Sequence, residues 1–189
     1  ILFDLAYQSY LPELVGREHI VEGNSKVSAS AAVAEFGGFS IGGSAGPRTE
    51  GDNIARRQGV VTVSMNHRLG AMGYAYLGGF HEDFAHSGNQ GQLDLILALQ
   101  WVRDNIEAFG GDPARIMIHG ESGGGGKIGA LLAMPGASGL YHSAILQSGS
   151  ANRVPSKEQA AQTAEELLRE LGLATSDFRK LQELPWKQI

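Results

Sequence analysis

The sequence contains no cysteine, no run of basic residues and no long run of apolar residues. Without cysteine, the chain has neither a disulfide framework nor a thiolate metal site. Nucleic-acid-binding domains usually display a basic patch that neutralises phosphates, whereas this chain has a formal net charge of −5. No segment approaches the ~20 consecutive apolar residues that span a bilayer. These absences argue against nucleic-acid and membrane partners.

The start of the chain also lacks the features of a secretory leader. Its first residues, ILFDLAYQSYLPELVG, have no basic n-region. The sequence starts at Ile1 and stops at Ile189 without a turn or tail, so we expect a fragment of a longer protein. The lack of a leader and of cysteine favours the cytoplasm as its location. The 42% of hydrophobic and 19% of charged residues are typical of one compact, soluble domain.

Apolar segments with strand and helix patterns alternate along the chain after a glycine-rich loop at residues 40–51. Val60, Val61 and Val63 predict a buried strand within residues 59–66, and a long loop follows at residues 67–91. The later elements are a broad apolar helix stopped by Gly110 and Gly111, a strand at residues 115–119, a helix stopped by Pro135, a strand at residues 141–148, and an amphipathic helix at residues 157–171. This alternation predicts an α/β fold, with a mainly parallel sheet and helices on both faces.

The pentapeptide Gly120-Glu121-Ser122-Gly123-Gly124 matches G-x-S-x-G and lies between a predicted strand and a predicted helix. A nucleophile at such a corner needs neighbours without side chains, because the turn is strained and the substrate must approach closely. The N–H of Gly123, at the start of the helix, points to where an oxyanion would form. The motif predicts Ser122 as a nucleophile; the alternative is a glycine-rich connection with an incidental serine.

Two phosphate-binding motifs overlap this segment and fit it less well. A P-loop requires glycine where this chain has Glu121, and Ser or Thr where it has Ile128. A dinucleotide fingerprint through Gly124, Gly126 and Gly129 starts inside the turn and has no acidic partner at the expected distance. No cofactor is therefore predicted.

The histidines do not form a metal-binding motif. His81-Glu82 and His86 resemble a zincin motif, but these histidines are spaced one residue too far apart and lie in a glycine-flanked loop. Packing or hydrogen bonding near strand ends is the more common role for His67, His119 and His142. No metal site is predicted.

Three segments together resemble the type-B carboxylesterases: GVVTVSMNHRLGAMGY, GNQGQLDLILALQWVRDNIEAFGGDPARIMIHGESGGGG and GLYHSAILQSGSA, in that order. The resemblance implies an α/β-hydrolase fold and hydrolysis of small-molecule carboxylic esters without a cofactor. It implies that Ser122 is the acylated nucleophile. It also implies that Gly123, Gly37 and Gly38 supply the N–H groups of the oxyanion hole.

The segment before Gly37 departs from the family pattern. The family's glycine loop usually follows a buried strand ending in His-Gly, whereas this chain has Ala34-Glu35-Phe36. That strand would lie between the strands at residues 59–66 and 115–119, and residues 30–36 are the candidate to fill its place. The first forty or so residues resemble a segment of major-facilitator-type transporters. We therefore predict a foreign segment at residues 1–36 and a partial hydrolase domain at residues 37–189.

The sequence lacks the rest of a catalytic triad. α/β-Hydrolase triads follow the chain order nucleophile, acid, histidine. After Ser122 the only histidine is His142, and no Asp or Glu occurs from Gly123 to Tyr141. We therefore expect little turnover by this chain alone.

Three hypotheses remain at this point. The favoured one is a truncated carboxylesterase. The alternatives are a catalytically dead folded or binding module and a transporter-derived segment fused to an esterase fragment. Apolar faces exposed by truncation also predict self-association.

Overall fold

The computed structural model describes residues 30–32, 51–149 and 154–189. Its four strands form one parallel sheet in the order β2-β1-β3-β4. The strands are β1 (Ser30–Ala32), β2 (Thr62–Ser64), β3 (Met117–Glu121) and β4 (Ser143–Gln147). The α-helices are α1 (Asp52–Gln58), α2 (Gly70–Tyr74), α3 (Gln90–Asn105), α4 (Gly123–Leu131) and α5 (Lys157–Glu170). The predicted α/β class with a parallel sheet is confirmed.

Strand β1 lies between β2 and β3, where the sequence predicted that a strand was needed. Ala31 is in register with Val63 on one side and with Ile118 on the other. The candidate segment was residues 30–36, and its first three residues form the strand. Residues 33–36, including Glu35, lie outside the described residues.

Helix α3 buries only part of the broad apolar surface predicted for it. One stripe is almost completely buried: Leu95, Leu99, Val102 and Ile106, the last of which directly follows the helix. On the neighbouring apolar face Ile96 is buried, but Leu93 and Leu97 are 39% and 46% exposed. A 3₁₀ turn follows the helix and ends at Gly110, whose φ of 80° lies in the left-handed region that glycine accepts.

Two helices lie where no helix was predicted. Helix α1 begins directly after the glycine-rich segment and ends at Gly59, which has a φ of 61°. Helix α2 lies within the predicted long loop at residues 67–91, together with two short 3₁₀ turns. Helix α3 begins at Gln90, inside the predicted loop, and the other residues of the loop are in neither helix nor strand.

The described chain divides into two compact units. The first contains residues 30–32, 51–66 and 95–149, and its core is drawn mainly from β3, α3, α4 and the residues on either side of β2. Its buried side chains include Leu95, Leu99, Ile116, Ile118, Ile128 and Leu131.

The second unit contains residues 67–94 and 154–189. Its core consists of Leu77, Ala164, Leu168, Phe178 and Leu181. Helix α5 starts with a capping box between Ser156 and Gln159. It buries Ala164 and Leu168, which confirms the predicted amphipathic helix. The predicted boundary at residue 36 lies outside the described residues and stays a prediction. In the part of the chain that the structure describes, no helix combines the length and hydropathy needed to cross a bilayer.

Candidate active site

Ser122 alone connects β3 to α4. Strand β3 ends at Glu121, and α4 begins at Gly123. Ser122 has a φ of 53° and a ψ of −116°. A residue with a side chain rarely adopts a positive φ, and such strain costs ~1–3 kcal/mol unless the surrounding structure imposes it. The predicted strand, sharp turn and helix are confirmed, with the strain located at the serine.

Glycines permit the close packing of this turn. A Cβ atom on Gly120 would lie 2.5 Å from the backbone carbon of Gly124, in the first turn of α4. A Cβ atom on Gly125 would lie 2.9 Å from the carbonyl oxygen of Gly149 and 3.0 Å from that of Gln147. Side chains at either position would therefore push α4 away from the ends of the strands.

The end of β4 holds the same turn from the side. The backbone N–H of Ser122 donates a 2.8 Å hydrogen bond to the carbonyl oxygen of Gln147, the last residue of β4. A Cβ atom on Gly149 would lie 1.9 Å from the carbonyl oxygen of Ser122. Ser148, between these two contacts, has a φ of 52°. In the described chain, Ser122 and Ser148 are the only non-glycine residues with a positive φ.

This support from β4 was missed in the sequence. The available signal was the Gln147-Ser148-Gly149 tripeptide at the end of a predicted strand, because parallel neighbouring strands end at the same edge of a sheet. The glycine in that tripeptide marked a close backbone approach.

Gly123 is the first residue of α4, so its N–H precedes the intrahelical ladder. The first backbone bond back to the turn is donated by Gly126 to the carbonyl oxygen of Ser122, at 3.0 Å. The N–H of Gly123 therefore lies at the positive end of the helix dipole, next to Ser122. Gly37 and Gly38, the other predicted oxyanion-hole residues, lie outside the described residues.

His142 lies at the opposite end of β3 from Ser122. Its Nδ1 accepts a 3.2 Å hydrogen bond from the N–H of Ile116, which directly precedes β3. Ser122 directly follows that five-residue strand. At ~3.3 Å per residue, the two ends of such a strand are more than ~15 Å apart. His142 therefore cannot act as a base for the Ser122 hydroxyl in this arrangement.

His119 and Lys127 are ionisable residues of the two elements that the turn joins. His119, on β3, is partly buried, and burial lowers the pKa of its imidazole. Lys127, on α4, is fully buried. A P-loop lysine must reach a phosphate, so a fully buried Lys127 agrees with the rejection of that motif.

His81, the first histidine of the rejected zinc motif, has a local role. His81 begins a 3₁₀ turn, and its Nδ1 accepts a hydrogen bond from the N–H of Asp83 at 3.2 Å. Across residues 30–32, 51–149 and 154–189, no group of three or more His, Asp or Glu side chains could hold a metal ion.

Comparison with known proteins finds relatives of this chain among the esterases. The model of the Carboxylesterase family matches residues 24–189. The chain is 46% identical over 145 residues to the para-nitrobenzyl esterase of Bacillus subtilis, a match that covers 77% of this chain and 29% of that protein. It is 40% identical over 144 residues to cholinesterase 1 of Branchiostoma lanceolatum, which covers 75% of this chain and 39% of that protein.

The fold of this chain is also similar to that of a carboxylesterase of known structure. A crystal structure of a carboxylesterase from Geobacillus stearothermophilus aligns with a TM-score of 0.81 and 39% sequence identity, covering 86% of this chain and 34% of that chain. The chain thus spans well under half the length of the relatives it matches. The transporter-like resemblance of the first forty residues stays a prediction. The match over residues 24–189, together with the α/β-hydrolase fold of its structural relatives, shows that this chain belongs to the carboxylesterase family.

Proposed function

We propose that this chain is the nucleophile-bearing part of a serine carboxylic ester hydrolase that acts on small-molecule esters. The observation that carries the proposal is the backbone of Ser122, which has a φ of 53° between a parallel strand and a helix in a member of the carboxylesterase family. A strained serine at such a junction presents its hydroxyl outward, where an ester can reach it.

The reaction is an acyl transfer in two steps. The Oγ of Ser122 attacks the carbonyl carbon of the ester, its proton passes to a base, and the resulting oxyanion accepts hydrogen bonds from backbone N–H groups. Gly123 supplies one of these at the start of α4, and Gly37 and Gly38 supply the others. The alcohol leaves with a proton, and water then hydrolyses the acyl-serine to release the acid.

The base and its acid come from outside the described residues. His142 is the only histidine after Ser122 in the sequence, and it bonds to Ile116 at the far end of β3. Without a base, the serine hydroxyl is a weak nucleophile at neutral pH. The chain alone therefore retains at most the contribution of the oxyanion hole and substrate binding, about 10³- to 10⁴-fold over water.

A hybrid enzyme tests the nucleophile assignment. The matched region of this chain replaces the corresponding region of the Bacillus subtilis para-nitrobenzyl esterase, and hydrolysis of a p-nitrophenyl ester is measured. We expect Ser122→Ala to lower kcat of the hybrid by at least about 10⁴-fold, because the acyl-enzyme can no longer form. Ser143→Ala, at an exposed serine of β4, is the matched control and should leave kcat unchanged.

A folded hybrid that hydrolyses the ester equally well with and without Ser122 would contradict the proposal. The isolated 189-residue chain gives a second test. Hydrolysis that depends on Ser122 and proceeds at the rate of a complete esterase would show that the base is already present.

A further inference from the structure

Lys127 is a lysine whose side chain is completely removed from water. Its exposed fraction is 0%, whereas Lys157, Lys180 and Lys187 are all exposed. Lysine is rarely buried to this extent, because taking an ammonium out of water is costly. Lys127 belongs to α4, the helix that begins directly after Ser122. A side chain that is costly to bury is therefore part of the helix that follows the candidate nucleophile.

The buried side of α4 that carries Lys127 faces the sheet. Lys127, Ile128 and Leu131 are all fully buried. Ile128 and Leu131 pack in the core with Ile118 of β3. Leu131 comes one helical turn after Lys127, so both side chains project from the same side of α4. Lys127 therefore lies on the sheet-facing side of the helix, where water and salt do little to screen its charge.

The residues before Lys127 leave room for its side chain along the first turn of α4. They are the glycines from Gly123 to Gly126, none of which has a side chain. Side chains on an α-helix tilt toward its N-terminus, and residues three or four positions apart are neighbours, with Cβ positions ~5–6 Å apart. The neighbours of Lys127 in this direction are Gly123 and Gly124. The ammonium therefore lies about 10 Å or less from the N–H of Gly123.

This position is unfavourable for a cation until an anion forms beside Ser122. Burial disfavours an ammonium, and so does the beginning of a helix, which is the positive end of its dipole. During acyl transfer a negative charge develops on the carbonyl oxygen of the ester, next to the N–H of Gly123. Opposite charges ~10 Å apart attract each other more strongly in a protein interior than in water. The attraction is gained in the transition state and is absent from the ground state, as catalysis requires.

We propose that Lys127 is protonated in the folded protein and stabilises this oxyanion through its electric field. It acts in both steps of the reaction, because formation and hydrolysis of the acyl-serine each pass through a tetrahedral oxyanion. Lys127 keeps its proton throughout and does not touch the ester, so it is not the base that Ser122 needs. This inference rests on the proposed function and adds to it a residue outside the G-x-S-x-G motif.

Two substitutions in the hybrid enzyme described above test the charge. Lys127→Met gives an apolar side chain of similar length, and Lys127→Gln keeps a hydrogen-bonding group without a charge. We expect both to lower kcat for a p-nitrophenyl ester about tenfold and to leave KM unchanged, because only the transition state carries the oxyanion. The kcat is expressed per Ser122 that reacts with a fluorophosphonate, so that unfolded protein does not contribute. Lys157→Met, at an exposed lysine, is the control and should leave kcat unchanged.

A stable analogue of the oxyanion gives a second measurement. An alkyl trifluoromethyl ketone binds as the tetrahedral adduct of the serine, which carries the negative charge. We expect Lys127→Met and Lys127→Gln each to raise its Kd by the same factor of about ten. An unchanged kcat and Kd in Lys127→Met would overturn the inference. Full activity of Lys127→Gln beside a defective Lys127→Met would also overturn it, because a hydrogen bond and not the charge would then be required.

Comparison with Ser122→Ala distinguishes this inference from the proposed function. The isolated chain gives a reading without the hybrid: the rate at which a fluorophosphonate reacts with Ser122, since a charged phosphoryl oxygen develops there as well. We expect this rate to fall about tenfold in Lys127→Met. Reaction and hydrolysis that depend on Ser122 but are equal with and without the lysine would refute the inference and leave the proposed function in place. Hydrolysis that does not depend on Ser122 would refute both.

Discussion

The two faces of the sheet at β3 and β4 differ in how completely the described chain covers them. On one face Ile118 is fully buried and packs with Ile128 and Leu131 of α4. On the other face Ile145, in the neighbouring strand, is 43% exposed. The same residue type occupies both positions. Exposure in this sheet is therefore set by the presence of a covering helix, and not by the hydrophobicity of the strand.

The largest effect should come from a matched pair of isoleucine substitutions. We expect Ile118→Ala to lower the free energy of unfolding by about 4 kcal/mol, because it leaves a cavity in a fully packed core. Ile145→Ala should cost less, about 1 kcal/mol, since 43% of its surface is exposed to water and no packed core surrounds it. Urea unfolding of both variants measures the difference. Equal losses would show that the two faces are equally packed in solution.

The second-largest loss of stability should come from a substitution of Gly149, which lies beside the strained turn. This prediction extends the comparison to the carboxyl edge of the sheet. We expect Gly149→Ala to cost about 3 kcal/mol, because its Cβ atom would meet the backbone oxygen of Ser122 and neither backbone can yield easily. Gly136→Ala is the control, since its nearest neighbour is Ile96 at 3.4 Å, an ordinary contact. Urea unfolding measures both. A neutral Gly149→Ala would mean that the end of β4 does not hold Ser122.

Charged side chains extend the comparison of buried and exposed positions. Asp94 is 7% exposed and accepts hydrogen bonds from the backbone N–H and the guanidinium of Arg68, the shortest heavy-atom distance being 2.6 Å. We expect Asp94→Ala to cost about 1–2 kcal/mol, less than for a fully buried pair because Arg68 is partly in water. Asp104→Ala, which breaks the exposed pair with Arg103, should give no measurable change in thermal unfolding. A similar loss in both variants would contradict this ordering.

The smallest effect should be a pH dependence from His119. Burial lowers the pKa of this imidazole in the folded protein, so the unfolded chain binds the proton more readily. Stability from the neutral imidazole is therefore present above pH ~6.5 and lost as the pH falls through the lowered pKa. We expect His119→Gln to lose less stability than the unmodified chain between pH 8 and pH 5, measured by urea unfolding. Parallel pH curves for the two proteins would show that burial of His119 is not maintained.

The local structure around Ser122 could be predicted from the sequence because the glycines and the apolar segments beside them are compatible with few conformations. Gly120 and Gly123 lie on either side of Ser122, two residues before it and one after it. Between an apolar strand and an apolar helix, this pattern specifies a sharp turn. The strand between β2 and β3 could be inferred as well, because a parallel sheet cannot omit an interior strand. Residues 30–36 were the candidate for this strand because they directly precede Gly37.

The contacts between distant segments could not be predicted. The bond from Ser122 to Gln147 joins two strand ends whose register depends on the packing of α4, which no local pattern encodes. The exposure of Leu93 and Leu97 was also missed, because an apolar side chain has the same helical period whether or not another segment covers it. Helix α1 was missed although Gly59 marked its end, because seven residues give a weak periodic signal.

The hydrogen bond from the Ser122 N–H to the last residue of β4 couples the motion of the serine to that of the neighbouring strand. Fluctuations that fray the end of β4 release this bond and the strained turn together, so the rigidity of the serine is set by an element outside its own motif. Amide hydrogen exchange at Ser122 is thus a direct measure of how firmly the end of β4 is held.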